Sequence, residues 1–398
     1  MAERIKGVRD FLGREAVLRQ AAIQKIRGAY ETFGFEPLET PALEYLALFT
    51  GKSGPEVESQ LYAFSDKKGE RLALRPEQTL SRLRVVAENK SLVKPFKAYS
   101  IGQVWRYEDP SKGSYREFLQ ADIDVYGSSS TRYDAEIIAC IDFALKRLGI
   151  TDYKISLNNR KILQGLIDDI GASPLDGLQI LRELDKLSKI GETEVIERIS
   201  KIVGAEKAKK VKNYLSGDYK TDQTGRNEIS ELIEALKEYD IKNVIWDKTL
   251  VRGNAYYDGN IFEFVENSIG TVAGGGRYDR LSAQFEVAMP IVGGAIGFER
   301  VMEVIKSNAI EDFTESYCVI SVDNDKKALE IASRLRERGL KTDILLDKTS
   351  LSKGLDYCNS KKIRYAVIVG NKDLKAGKIT IRDLKEKKDR TVQEKELG

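Results

Sequence analysis

The chain reads as an α+β protein, an antiparallel sheet flanked by helices, interrupted by a helical insertion and followed by a separate α/β domain. Three observations predict this. Two long strand-like stretches, Phe96 to Tyr107 and Arg116 to Tyr126, are separated only by the turn-rich Glu108-Asp109-Pro110-Ser111-Lys112-Gly113-Ser114, which makes an antiparallel hairpin. From about residue 161 to 242 strand signals give way to charged, helix-periodic sequence, as at Val195, Ile199, Ile202 and Val203. Beyond Asp312 strand and helix signals alternate, as a largely parallel sheet requires.

In chain order, Glu15 to Phe33 carries Leu18, Ala22, Ile26, Ala29, Tyr30 and Phe33 on one side, with Gly34 as a stop, which predicts an amphipathic helix. Pro37 and Pro41 frame a short extended piece. Gly69 then punctuates two short strands between Leu61 and Arg75, and a helix begins near Pro76. After the insertion, Thr249 to Arg252, Ile261 to Val265, Gly270 to Ala273 and Ile291 to Ile296 read as strands that complete the first sheet, the last running into a helix from Phe298. The second domain is expected as strand (Tyr317 to Val322), helix (Lys326 to Arg338), strand (Thr342 to Leu346), helix, and strands at Ala366 to Gly370 and Lys378 to Arg382. The expected domains are 1–312, with the insertion at about 161–242, and 313–398.

Composition excludes several chemistries. With 398 residues, 41% hydrophobic and 32% charged, the chain can bury a large core. No apolar run reaches the roughly 18 residues of a membrane span, and Met1 to Asp10 lacks the apolar stretch of a secretory signal, so no membrane association and a cytoplasmic location are expected. Cys140, Cys318 and Cys358 form no Cys-x-x-Cys pair. The chain contains 0 histidines, which excludes Ser-His-Asp hydrolases, HExxH metalloproteases and imidazole acid/base catalysis. Chemistry must therefore come from carboxylates, arginines, backbone groups or an oxygen-held metal. The net charge of +3 is uneven: residues 313–398 hold 20 Lys+Arg against 14 Asp+Glu, a surplus of 6 that suits an anionic partner.

Strand alternation puts Phe118, Gln120, Asp122 and Asp124 on one side of the returning strand and Leu119, Ala121, Ile123 and Val125 on the other. The second set should pack on core, leaving the first as a polar floor. Trp105-Arg106-Tyr107-Glu108, a loop, and Tyr115-Arg116-Glu117-Phe118 resemble motif 2 of class II aminoacyl-tRNA synthetases, where an arginine, an acid and a Phe hold ATP. Val292 to Arg300, a glycine-rich strand entering a helix, resembles motif 3, and the stretch around Thr40-Pro41-Ala42-Leu43-Glu44 looks like motif 1, which in that class builds a dimer interface. An arginine fork matches a phosphate and stabilises charge building up during in-line attack.

Three further stretches resemble the histidyl-tRNA synthetase family in particular. Leu74-Arg75-Pro76-Glu77-Gln78-Thr79 is similar to a segment that holds the substrate α-amino group; Leu250-Val251-Arg252-Gly253, followed by Tyr256-Tyr257, is similar to the family's first signature; and Ala273 to Asp279 is similar to its second. The resemblance implies Arg106 and Arg252 as catalytic phosphate clamps. It implies Glu77, Gln78, Thr79, Gln120, Asp124, Tyr256 and Tyr257 around histidine, with Asp124 and Tyr257 on the imidazole, and Arg106, Glu108, Arg116, Phe118, Arg252 and Arg300 around ATP. No metal ligands are assigned.

It further implies a class II catalytic domain and a C-terminal anticodon-binding domain, with ATP as substrate, Mg²⁺, L-histidine, tRNA(His) and a homodimer. Two positions depart from the family pattern: Ser114 stands where an arginine is usual, and Asn254-Ala255 interrupts the first signature. They support an alternative, a synthetase-like regulatory paralogue that binds histidine or nucleotide without charging tRNA.

Overall fold

The computed structural model describes residues 3–50, 58–111, 113–217, 222–252, 256–305, 314–347 and 350–397. The chain divides into two compact units, Met1–Ile305 and Lys306–Gly398. The first is organised by an eight-stranded sheet in the order β1-β5-β6-β11-β10-β9-β7-β8, where β1 is Glu36–Pro37, β5 Phe96–Trp105, β6 Glu117–Tyr126, β7 Tyr153–Asn159, β8 Val244–Trp246, β9 Asn260–Glu266, β10 Gly270–Arg277 and β11 Ile291–Gly297. The sheet is antiparallel from β5 to β7, with a parallel strand at each edge. A three-stranded antiparallel sheet, β2 (Leu43–Tyr45), β3 (Ala63–Ser65) and β4 (Arg71–Leu74), lies beside it in sequence.

The hairpin forms as expected, and its apolar face explains the layering. Leu119, Ala121, Ile123 and Val125 of β6 are buried with Ala22, Ile26 and Ala29 of α1 (Gly13–Thr32) in one core. Burying each of the larger side chains, Leu119, Ile123, Val125 and Ile26, contributes roughly 1.5–3 kcal/mol, so the helices are committed to that face. The opposite face of β6 is left to the helix α2 (Thr79–Glu88), which begins just after the Arg75-Pro76-Glu77 segment. A long helix not read from the sequence, α3 (Thr131–Arg147), covers the core side, capped by the Ser130 side chain accepting from the Arg132 N–H.

Between β7 and β8 the described chain is helical: α4 (Arg160–Ile170), α5 (Pro174–Leu184), α6 (Leu187–Ile190), α7 (Glu192–Val203), α8 (Ala205–Ser216) and α9 (Gln223–Glu238). Asn159, Ser173 and Asp222 cap three of them through side-chain acceptors, and α4 ends on Gly171 in the left-handed region at φ 61°. Thr249 to Arg252 is not a strand. Asp247 accepts from the N–H and hydroxyl of Thr249 (2.9 and 2.6 Å) and the Leu250 N–H returns to the Asp247 carbonyl (3.1 Å), so a local turn displaces sheet pairing there, and the strand of this region is β8 instead.

In the second unit β12 (Thr314–Ser321), β13 (Thr342–Leu345) and β14 (Ile363–Val369) are parallel, while β15 (Lys378–Asp383) and β16 (Lys388–Gln393) close the five-stranded sheet as an antiparallel pair. Helices α11 (Asp325–Glu337) and α12 (Leu351–Ser360) follow a short α10 (Phe298–Val304) in the numbering. The sheet is therefore mixed where a largely parallel one was expected. Strand β16 escapes the sequence because Lys388-Asp389-Arg390-Thr391 is an exposed edge with no apolar alternation to betray it.

Candidate active site

Register across the sheet builds a trough. Asp122 of β6 pairs with Ala295 of β11, Ala295 with Gly274 of β10, and Gly274 with Glu263 of β9, so one row runs acid, small, small, acid. The next row runs Asp124, Gly293, Gly276. Small residues in the middle leave room above the strands. A side chain at Gly274 would collide with the Arg252 guanidinium, and one at Gly293 with the Asp124 carboxylate and the Tyr278 hydroxyl.

Two adjoining cavities occupy this trough. The first, about 290 Å³, is bounded by Glu77, Thr79, Gln120, Asp122, Asp124, Tyr256, Tyr257 and Tyr278, among others. The second, about 250 Å³, is bounded by Glu108, Ser114, Phe118, Gly297, Glu299 and Arg300. Arg106 and Arg252 stand in the walls of both. Each is held by its neighbours. The Arg106 Nε donates to the Pro76 carbonyl at 2.9 Å, with the guanidinium 5.4 Å from the Phe118 ring centroid. Arg252 pairs with Glu263 at 2.7 Å and adopts φ 62°, a left-handed backbone rare for a side chain of this size. Burial opposes the Arg252 charge, but Tyr257 and Glu263 outweigh it and raise its pKa.

The far wall of the first cavity is a buried charge network. Arg82 of α2 is 1% exposed and pairs with Asp124 at 2.5 Å; its distance to Asp122 is 3.8 Å. The Tyr126 hydroxyl donates to Asp124 Oδ2 at 3.0 Å and the Tyr278 hydroxyl donates to Oδ1. Gln78 donates its amide to Asp122 Oδ2 at 2.9 Å. Burial opposes the Arg82 charge, yet Asp124, Tyr126 and Asp122 raise its pKa, so it stays a cation.

This geometry has counterparts among known proteins. The histidyl-tRNA synthetase family model matches residues 7–301, and an anticodon binding domain model matches residues 316–398. The histidine–tRNA ligase of Pyrococcus furiosus is 35% identical, covering 96% of this chain and 95% of its own. The chain belongs to the histidyl-tRNA synthetase family. The histidine–tRNA ligase of Wolinella succinogenes is 33% identical over 96% of this chain and 93% of its own. The crystal structure of histidyl-tRNA synthetase from Nostoc sp. PCC 7120 superposes with a TM-score of 0.84 at 26% identity, covering 99% of this chain and 97% of that one. The expected α+β fold, with a large, mostly antiparallel sheet and a C-terminal domain carrying its own sheet, is thus the observed one.

Against that family pattern, the structure brings most of the sequence-derived residues to the two cavities: Glu77, Thr79, Gln120, Asp124, Tyr256 and Tyr257 to the first, Glu108, Phe118 and Arg300 to the second, and both arginines to each. Two of the expected residues lie outside both walls. Gln78 is in neither cavity wall; it is turned beneath the floor, its amide donating to Asp122 and to the Gln120 carbonyl at 3.2 Å. Arg116 is likewise outside both walls, its Nε donating to the Glu108 carbonyl at 3.0 Å and its guanidinium lying 4.2 Å from the Tyr107 ring centroid, so it braces the hairpin turn.

Glu77 has a second task, because its carboxylate accepts the N–H groups of Thr79 and Leu80 and caps α2. Ser114 donates to Glu108 at 2.9 Å in the second cavity, while Lys112 and Asn254-Ala255 lie outside the described residues. Sequence reasoning missed Arg82, Tyr278 and Glu263. A helical arginine among apolar neighbours was a readable signal for the first; the other two needed the register.

Asp122 is 3% exposed, and burial pushes its pKa up to about 7, with Asp124 and Glu77 adding to the rise and Arg82 opposing it. The folded chain thus holds a proton that the unfolded one, with an ordinary carboxylate near about 3.9, has released. The stability this group contributes is complete below about pH 4 and lost as pH climbs through about 7. Asp122→Asn is accordingly expected to stabilise the Met1–Ile305 unit at pH 8, by on the order of 2–4 kcal/mol, with the gain gone by pH 4. Trp105 and Trp246 are the 2 tryptophans and both lie in this unit, so urea unfolding followed by their fluorescence reads it alone; a gain independent of pH would refute the assignment.

Proposed function

We propose that this chain is a histidine–tRNA ligase, which activates L-histidine with ATP to histidyl-adenylate and transfers the histidyl group to tRNA(His). The observation that carries the reading is the pair Arg106 and Arg252, set in the walls of two joined cavities. Histidine fits the first, whose walls hold Asp124 and Tyr257 for the imidazole, with Tyr278 beside them. ATP fits the second, with Phe118 stacking on adenine and Arg300, whose guanidinium is anchored on the Thr271 carbonyl at 2.8 Å, on its other side. The α-phosphate then falls at the junction, between the two guanidinium groups.

Attack by the substrate carboxylate on that phosphate needs no general base, because the nucleophile is already ionised at neutral pH. What the protein supplies is alignment and fixed positive charge where negative charge accumulates. A chain with 0 histidines can do this. Mg²⁺ asks for one or two carboxylates beside the phosphates, and Glu108, in the second cavity's wall with the Ser114 hydroxyl donating to it, would hold the ion, which would supply charge to shield the phosphates.

The relatives named as ligases, the match to an anticodon binding domain and the surplus of 6 positive charges over residues 313–398 favour charging over the regulatory alternative. A homodimer and a cytoplasmic location complete the reading; no helix among the described residues is long and apolar enough to cross a membrane. Histidine-dependent exchange of labelled pyrophosphate into ATP tests the first step, and formation of histidyl-tRNA tests the second. Exchange with histidine and with none of the other amino acids is expected. No exchange at saturating histidine would refute the reading.

A further inference from the structure

The second cavity is braced from outside by the start of the chain. Glu299 lies in its wall, directly before Arg300, and its Oε1 accepts the N–H of Leu119, the residue after Phe118, at 3.3 Å. One carboxylate is therefore tied to both sides of the slot proposed for adenine. Two guanidinium groups converge on it. Arg19 of α1 donates to both oxygens, at 2.6 and 2.8 Å, and Arg9 donates to Oε2 as well.

Arg9 also reaches the opposite wall. Its guanidinium carbon lies 3.5 Å from the centroid of the Tyr115 ring, and Tyr115 stands in the cavity wall. A planar guanidinium over an aromatic face is attracted by the ring and can lie against it as a plate. The segment that carries Arg9 is fixed to the same hairpin turn. The Arg116 N–H donates to the Gly7 carbonyl at 2.8 Å, and Gly7, at φ 88°, packs so closely that a side chain there would collide with Pro110 and Arg116.

Stability alone does not account for this arrangement. Arg19 already engages both oxygens of Glu299, so Arg9 brings a second cation that the first repels. Its Nε is enclosed with no hydrogen-bond partner among the described residues, a further cost. An apolar side chain over Tyr115 would avoid both. What a forked cation adds here is simultaneous contact with Glu299 and Tyr115. We propose that Arg9 is a positioning residue for ATP, spanning these two groups so that the Phe118 and Arg300 sides of the slot keep the spacing a purine requires. This rests on the second cavity being the ATP site.

The test is steady-state pyrophosphate exchange with the full chain. Arg9→Ala is expected to raise KM for ATP by about tenfold, with kcat and KM for histidine each within about threefold of wild type. The effect should pass through the ring, so in a Tyr115→Ala background Arg9→Ala should change KM for ATP by less than about twofold. A KM for ATP within about twofold of wild type in Arg9→Ala, or an equal rise in both backgrounds, overturns the proposal. Arg9→Lys keeps the charge and loses the planar fork, and should still raise KM for ATP by about threefold; a lysine variant that matches wild type overturns the spanning role. An Arg9 that served only the fold would lower resistance to urea and leave KM for ATP unmoved, since KM does not depend on how much protein is folded. Wild-type protein without exchange refutes the ATP reading itself, whereas exchange with KM for ATP unmoved in Arg9→Ala refutes the role of Arg9 alone.

Discussion

Arg252→Ala is expected to lower kcat for histidine-dependent pyrophosphate exchange by about 10²–10³-fold, the loss associated with removing one donor aimed at developing charge. Three features of the residue point to so large an effect. It stands half-buried in the walls of two cavities, its guanidinium is fixed by Glu263 at 2.7 Å, and its backbone is held at φ 62°. Fold stability gains nothing from such a backbone, so the conformation is maintained by what surrounds it. Arg252→Lys keeps the charge and loses the planar fork, and a smaller loss of about 10-fold is expected. If alanine reduced exchange less than about fivefold while KM for histidine and ATP stayed put, Arg252 would have no place at the phosphate. The same assay on Arg106→Ala should give a loss of similar size, since both arginines stand at the junction.

The second large effect concerns folding. Arg82→Met is expected to destabilise the Met1–Ile305 unit by about 3–5 kcal/mol at pH 8, because Asp124 would remain buried as an ion without its cation. Tyr126 and Tyr278 would still donate to it, but two neutral hydroxyls do not balance a full charge at 2% exposure. Loss of Arg82 also removes the opposing influence on Asp122, so that carboxyl takes up a proton more readily. The deficit should therefore shrink as pH falls from 8 to 5, and Arg82→Met combined with Asp124→Asn should recover more than half of it, a coupling that independent sites would not show. Urea unfolding monitored by tryptophan fluorescence measures all three. A deficit below about 1 kcal/mol at pH 8 would mean that water, not Arg82, balances the pair.

Much of this architecture could be read from residue order. The hairpin was legible because Leu119, Ala121, Ile123 and Val125 alternate without interruption and because Glu108 to Ser114 is rich in turn formers. The same alternation put Gln120, Asp122 and Asp124 on one face, where the cavity is. The helical insertion was legible from periodicity, as at Val195, Ile199, Ile202 and Val203, while its caps at Asn159, Ser173 and Asp222 emerged from the structure. What failed to show was structure held by partners distant in the chain or by local side-chain bonds. Strand β16 has no apolar face of its own, and the Asp247 turn competes with pairing at Thr249.

Residue types and their alternation thus determined on their own which strand faces carry chemistry, that imidazole catalysis is excluded, and that arginines and carboxylates must do the work. Which polar groups are free to meet a ligand was decided only in three dimensions. Gln78 and Arg116 look like ligand contacts until the fold gives them partners. The reason is physical: a hydrogen-bonding group's availability depends on every donor and acceptor within about 3 Å of it, and those come from strands and helices far apart in sequence.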